Sequence, residues 1–312
     1  MKNIFINKNS QVRSGWKIIS TLSSSFLGTY LITTIITIIY ILLMIVIKGI
    51  PFAAIGSFID KLTDLHSIFT IFIHLIQCLC MIFFVVLFWK VYDKKPIRDI
   101  GLINIKKGFK DLFKGLILGA ISMIIVFIIL VASKNIYLQN SLLRPNVNSS
   151  LLTGLILFIF VGINEEMFAR GYCMSVLKQT GNKWTIVIVS SIIFSLMHSQ
   201  NPSMSFISYL NIFLFGILTA YMFMKSNNLW LSIGYHIAWN YFEGNIFGFQ
   251  VSGLATQSLY NLSTPAENII TGGKFGPEGG IIVTFITIIG IIYIWKFYKP
   301  QALISQENNL YF

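Results

Sequence analysis

The chain of 312 residues is 55% hydrophobic and only 11% charged, with a mean hydropathy of +0.75. Soluble domains carry about 25% charged residues, so this composition excludes a soluble globular or a disordered protein. The formal charge of +12 does not point to nucleic acid. The basic residues sit in short stretches between apolar runs, where they set membrane topology and meet anionic lipid headgroups.

Apolar runs and their breakers predict eight spans, at about 26–47, 68–89, 115–133, 151–172, 184–199, 205–224, 229–248 and 280–297. A helix needs roughly 20 apolar residues to cross a bilayer. The first run is too long for a signal-peptide core of about 7–15 residues and has no small-residue cleavage pattern after it, so it reads as a retained helix. Cys78, Cys80 and Cys173 lie in or beside apolar segments and read as small buried side chains, not as a disulfide or zinc set. The stretch "KVYDKKPIRDIGLINIKKGFKDLFKG" (90–115) is strongly basic. Its "GFKDLFKGL" portion has the pattern of an amphipathic helix on the inner leaflet; the plainer reading is a positive-inside anchor. The loop 249–279, ending near "TGGKFGPEGG", reads as a connector, with a mobile cover as the alternative. Residues 306–312 resemble a remnant of a protease-cleavage tag and carry no functional weight. The expected fold is an all-α polytopic membrane protein, a bundle of about eight transmembrane helices forming one domain over residues 1–305, with a motif-bearing core at 150–250.

Orientation follows from the 23 basic residues. With a cytoplasmic N-terminus, seventeen fall in the inner segments 1–25, 90–114, 173–183, 225–228 and 298–312 together with Lys296. The outer loops hold only Lys48, Lys61, Lys134, Arg144 and Lys274. This bias places both termini inside.

A charged side chain at the bilayer centre costs about 2.5–3.5 kcal/mol on insertion scales, so such residues usually serve function. The acidic residues inside predicted spans are Glu165, Glu166 and Glu243. His198 and His236 sit near other intramembrane polar groups, whereas His66 and His74 stand alone around the second span. Counting about 1.5 Å per residue from the helix ends brings Glu165, His198, His236 and Asn240 to one layer. Helical neighbours point about 100° apart, so Glu165 and Glu166 cannot both face one cavity. Glu166 and Arg170 are i, i+4 and can pair, which compensates two buried charges. Glu165 is then left to face the cavity. His236 and Asn240 are likewise i, i+4. Glu243 is expected near the outer membrane surface, with a place on the His236 face as the alternative. A glutamate beside a histidine can take a proton from water and pass it to a leaving amine. A second histidine and an asparagine supply donors for an oxyanion. No serine or cysteine nucleophile stands in this layer, so activated water is the natural attacking group.

At these residues the chain resembles the CPBP family of CAAX prenyl-protein endopeptidases and bacteriocin-processing or immunity proteins, also called the ABI family. The family motifs EExxxR, FxxxH and HxxxN/D read here "EEMFAR" (Glu165–Arg170), "FSLMH" (Phe194–His198) and "HIAWN" (His236–Asn240). The resemblance implies a glutamate-dependent intramembrane endopeptidase with an eight-helix bundle. In it Glu165 and His198 would activate water, His236 and Asn240 would bind the oxyanion, and Glu166 and Arg170 would support them. No cofactor or metal is implied. One departure is Ala169, where an aromatic often precedes the arginine. The rival readings are a zinc-dependent intramembrane protease, though HExxH is absent; a non-catalytic scaffold or immunity protein that binds a peptide; a proton-relay transporter; and polar glue between helices. Abundant Ile, Lys and Asn point to an AT-rich bacterium and so to its plasma membrane. Bacteria generally lack prenylated CAAX proteins, so the expected substrate is a small peptide precursor or a membrane-associated segment.

Overall fold

The computed structural model describes residues 4–62, 68–263 and 267–299; the tail at 306–312 and His66 lie outside the described residues. The chain is helical almost throughout, because backbone polar groups in lipid must be satisfied within their own segment. The main helices are α1 (Ser14–Lys48), α2 (Ile68–Phe88), α3 (Ile105–Ala132), α4 (Ser150–Glu166), α5 (Lys183–Met197), α6 (Phe206–Ser226), α7 (Trp230–Tyr241) and α8 (Ile281–Phe297). They overlie the eight apolar runs. Five helical stretches, Ser14–Lys48, Ile68–Asp93, Ile97–Ala132, Ser150–Thr180 and Phe206–Ser226, are long and apolar enough to cross a membrane. Helices α5, α7 and α8 are shorter, at 15, 12 and 17 residues. Among the described residues the only sheet is an antiparallel pairing of Tyr137–Leu138 with Leu262–Ser263.

The chain packs as two compact units, Met1–Lys94 and Lys95–Phe312. In the first, α1 lies against α2, with the ring of Phe84 seated where Gly28 lacks a side chain. Buried Lys17 pairs with Asp93 Oδ1 at 2.6 Å, so neither charge is left uncompensated.

The second unit is organised by the contact of α3 with α7. Gly115 and Gly119 of α3 and Gly234 of α7 let the two backbones touch, the small-residue solution to helix packing in lipid. A Cβ on Gly115 would lie 2.2 Å from the Leu231 carbonyl oxygen, and one on Gly234 would lie 2.3 Å from that of Leu112. This contact also decides the fate of "GFKDLFKGL". It forms no separate surface helix; it is the start of α3, opened by Asn104, whose side chain accepts from Lys106 N–H. Gly108, Asp111 and Gly115 of this stretch are buried, with the Trp230 indole in the notch at Gly108. Asp111 accepts from Asn228 Nδ2 at 2.7 Å and from the Tyr298 hydroxyl at 2.5 Å. Burial first, then the hydrogen bond to Asp111 and its charge, hold the Tyr298 phenol well above its ordinary pKa.

Gly119→Leu is expected to cost about 3 kcal/mol, the upper end of overpacking, because the obstruction 2.3 Å away is the Tyr235 carbonyl oxygen of the backbone. Thermal unfolding in detergent measures it. Gly15→Leu, where nothing lies within 4 Å of the added Cβ, should not lower the midpoint, and equal midpoints for the two variants would refute the contact as a stability determinant.

The segments that follow α3 and α7 are stitched together. Gln139 N–H donates to Asn261 O, Asn146 N–H to Leu259 O and Asn261 N–H to the Asn140 side chain, each at 2.9 Å. The glycine-rich end of the second segment turns at Gly276, whose φ of 92° and closeness to the Gln250 carbonyl exclude any side chain.

Candidate active site

Each polar residue of interest is placed by a local feature of its helix. Helix α4 continues past Glu166 as a π-helical turn, Met167–Cys173, in which every residue is buried. Helix α7 likewise loosens into a π turn, Phe242–Ile246, just beyond Asn240. Such bulges in otherwise regular helices are frequent at functional sites. Helix α5 starts where Asn182 caps the N–H groups of Trp184 and Thr185, and ends at His198. Helix α6 opens with a reciprocal capping box between Ser205 and Ser208.

These elements bring three residues together. Glu165 Oε2 lies 3.7 Å from His198 Nε2 and 3.8 Å from His236 Nε2. Both distances exceed a direct hydrogen bond and match a gap bridged by one small group. Buried Glu165 Oε2 has no hydrogen-bond partner among the described residues. His198 Nδ1 is 2.8 Å from Phe194 O. A carbonyl only accepts, so Nδ1 carries the hydrogen, and in the neutral ring Nε2 presents its lone pair toward Glu165. His236 Nδ1 faces Glu166 Oε1 at 3.1 Å, and Glu166 Oε2 pairs with Arg170 Nε at 3.3 Å. The adjacent glutamates therefore have different surroundings. The Glu165 side chain is 20% exposed and His198 15%, whereas Glu166 is 0% and Arg170 1% exposed. Glu165 faces accessible space and Glu166 the interior. Asn240 is buried one turn beyond His236, but among the described residues no hydrogen bond joins it to the other three.

Two aromatic side chains complete the surroundings of these groups. Phe194, a letter of the second motif, forms a floor: the Arg170 guanidinium carbon lies 4.0 Å from its ring centre, and His198 meets it edge-on at 4.9 Å. Phe215 of α6 packs against His236 at 5.0 Å and Trp239 at 5.5 Å. Phe194 is marked in the sequence as the Phe of the FxxxH motif, without a sign of its role beneath Arg170, and nothing in the sequence marks Phe215. Glu243, expected near the outer membrane surface, is fully buried beside Trp239 and Glu278. Its surroundings are protein, because Phe249, Val251, Thr256 and Glu278 pack on that end of α7 and the turn that follows it. Cys78, Cys80 and Cys173 are buried free thiols. His74 is half-buried on α2. Among the described residues no group of three or more His, Cys, Asp or Glu is arranged to hold a metal ion. An apolar groove of about 260 Å³ opens between α5 and α6, lined by Ile192, Ser195, Leu196, Phe206 and their neighbours, adjoining the end of α5 that carries His198.

Residues 147–242 match the family model described as type II CAAX prenyl endopeptidase Rce1-like. The match spans a little under a third of the chain and contains Glu165, Glu166, Arg170, His198, His236 and Asn240. The matched segment is therefore similar to CAAX-protease-like endopeptidases, and it lies in a chain with five helical stretches long and apolar enough to cross a membrane. No curated protein and no solved structure matches the chain.

Proposed function

We propose that the protein is an intramembrane endopeptidase in which Glu165 and His198 activate water to hydrolyse a peptide bond. The observation that carries this reading is the position of Glu165 Oε2 between two imidazole Nε2 atoms, at 3.7 and 3.8 Å. A water set to one side of Glu165 Oε2 and His198 Nε2, at ordinary hydrogen-bond distance from each, can donate to both at once. As its oxygen attacks the peptide carbonyl carbon, its proton passes to this pair. The carbonyl π electrons move onto oxygen, giving a tetrahedral oxyanion, which His236 and Asn240 stabilise from α7. Collapse breaks the C–N bond, and the stored proton leaves with the amine. Glu166 orients His236 through Nδ1, the usual device for fixing which ring nitrogen faces the reaction. Arg170 balances the Glu166 charge.

The substrate is a small peptide precursor or a membrane-associated segment. The termini lie in the cytoplasm, the basic inner segments meet anionic lipid headgroups, and the membrane is a bacterial plasma membrane.

New peptide termini in membranes carrying wild type or His198→Gln, each with and without chelator, test this reading. Removing a general base typically costs 10²–10⁴-fold, so termini seen with wild type should fall by roughly that factor in the variant and survive chelation. Loss on chelation would favour a zinc-dependent protease. Identical termini from both proteins in a competent host would favour a peptide-binding scaffold or immunity protein.

A further inference from the structure

Glu278 lies well outside the segment that matches the family model and is not near Glu165 in sequence, yet it collects bonds from α6, from α7 and from the loop that follows α7. Its Oε1 accepts from Trp239 Nε1 at 3.0 Å, and its Oε2 accepts from Ser252 Oγ at 2.5 Å. Its main-chain oxygen accepts from Asn211 Nδ2 of α6 at 2.8 Å, and the same Asn211 nitrogen reaches Gly280 O at 2.8 Å. The path continues from Ser252, whose carbonyl accepts from Asn201 Nδ2 at 3.1 Å, to Asn201, whose N–H donates to His198 O at 2.9 Å. One carboxylate thus links the end of α5, where His198 sits, to the α7 turn between His236 and Asn240.

Two features are hard to ascribe to holding the fold alone. Glu278 is about nine-tenths buried, forms no ion pair with Lys or Arg among the described residues, and lies against the second buried carboxylate, Glu243. Burying a carboxylate without a cation is costly, and apolar side chains usually stabilise a core better. Ser252 also holds a φ of 48°, a conformation that non-glycine residues adopt under constraint, often at functional sites. The Trp239 indole fixed by Glu278 packs on Phe215 at 5.5 Å, and Phe215 packs on His236 at 5.0 Å.

We propose that Glu278 is a positioning residue for the active centre: through Trp239 and through the Ser252–Asn201 path it sets the spacing of the α7 donors against His198. The proposal rests on the endopeptidase reading above. Misplacing reacting groups by about 1 Å costs on the order of 10²-fold. Full-length protein in nanodiscs is assayed with a quenched peptide spanning a terminus whose formation requires Glu165. Glu278→Ala should lower kcat about 10²-fold per folded molecule with KM within about twofold, a split expected when placement and not binding is lost. Glu278→Gln, whose amide oxygen still accepts from Trp239, should recover most of it.

Trp239→Phe and Ser252→Ala should each lower kcat, and they carry the test if Glu278→Ala does not fold. Combined with Glu278→Ala, Trp239→Phe should add clearly less than its loss as a single variant, because both remove the same Trp239–Glu278 bond. An unchanged kcat per folded molecule, or strictly additive losses, overturns the proposal. Hydrogen exchange of residues 198–205 and 236–247 gives a reading independent of turnover. Glu278→Ala should speed it in both segments, and unchanged exchange also overturns the proposal. Wild type with no Glu165-dependent cleavage defeats the endopeptidase reading instead, and leaves the exchange result to stand or fall separately.

Discussion

Glu165→Gln should abolish cleavage, lowering kcat/KM by at least about 10⁴-fold, the upper end for removing a general base, while leaving the fold intact. The change is nearly isosteric, so the packing of α4 is undisturbed. What disappears is the negative charge and the proton-accepting capacity of Oε2, the atom 3.7 and 3.8 Å from the two histidine Nε2 atoms. The attacking water then loses the charged member of the pair that orients it and takes its proton, and His198 Nε2 is left to act alone. The stability cost should be small, because the Glu165 side chain is 20% exposed and, among the described residues, its Oε2 makes no hydrogen bond that the amide would break. Substitutions away from packed or bonded features stay within about 0.5 kcal/mol. Release of new termini, followed beside thermal unfolding in detergent, checks both halves. An active Glu165→Gln protein would remove the carboxylate from the chemistry. An inactive protein that also melts early would show only a folding defect.

How much of this was legible in the sequence depends on the kind of physics involved. The helices were, because crossing a bilayer demands long apolar runs that nothing else in a composition imitates. Counting from the helix ends put Glu165, His198, His236 and Asn240 at one level; the structure brings His198 and His236 to 3.7 and 3.8 Å from Glu165 Oε2 and leaves Asn240 one turn further on, with no bond to them among the described residues. The i, i+4 relation of Glu166 to Arg170 followed from the same geometry, and the structure pairs them at 3.3 Å. Other features depend on contacts between segments distant in sequence. Gly108 and Gly115 look like breakers around an amphipathic surface helix until Trp230 and the α7 backbone are seen against them. The burial of Glu243 follows from Phe249, Val251, Thr256 and Glu278 packing on that end of α7 and the turn after it, which no periodicity announces. Glu278 stands in a glycine-rich stretch that reads as a connector, and its value lies in partners 26 to 67 residues away.

Glu166→Ala should be the most destabilising change at the site, costing about 3–5 kcal/mol, because it strands the Arg170 guanidinium, 1% exposed, without its counter-charge. It also deprives His236 Nδ1 of its acceptor at 3.1 Å. Arg170 cannot relieve the loss by moving into water, since its guanidinium is stacked 4.0 Å from the Phe194 ring centre inside the bundle. At roughly 2–4 °C per kcal/mol for a chain of this size, the unfolding midpoint should drop on the order of 10 °C. Two effects are combined in that single change, and a double variant separates them. Glu166→Ala with Arg170→Met removes both charges and keeps much of the volume, so most of the midpoint should return, as it does when a buried pair is replaced by apolar side chains. Cleavage should not return with it, because His236 remains without the carboxylate that sets its orientation. Arg170→Lys offers no such rescue: an ammonium cannot stack on Phe194 as the planar guanidinium does. Recovery of cleavage along with stability in the double variant would reduce Glu166 to a counter-ion for Arg170, and would leave His236 positioned by its packing against Phe194 and Phe215 alone.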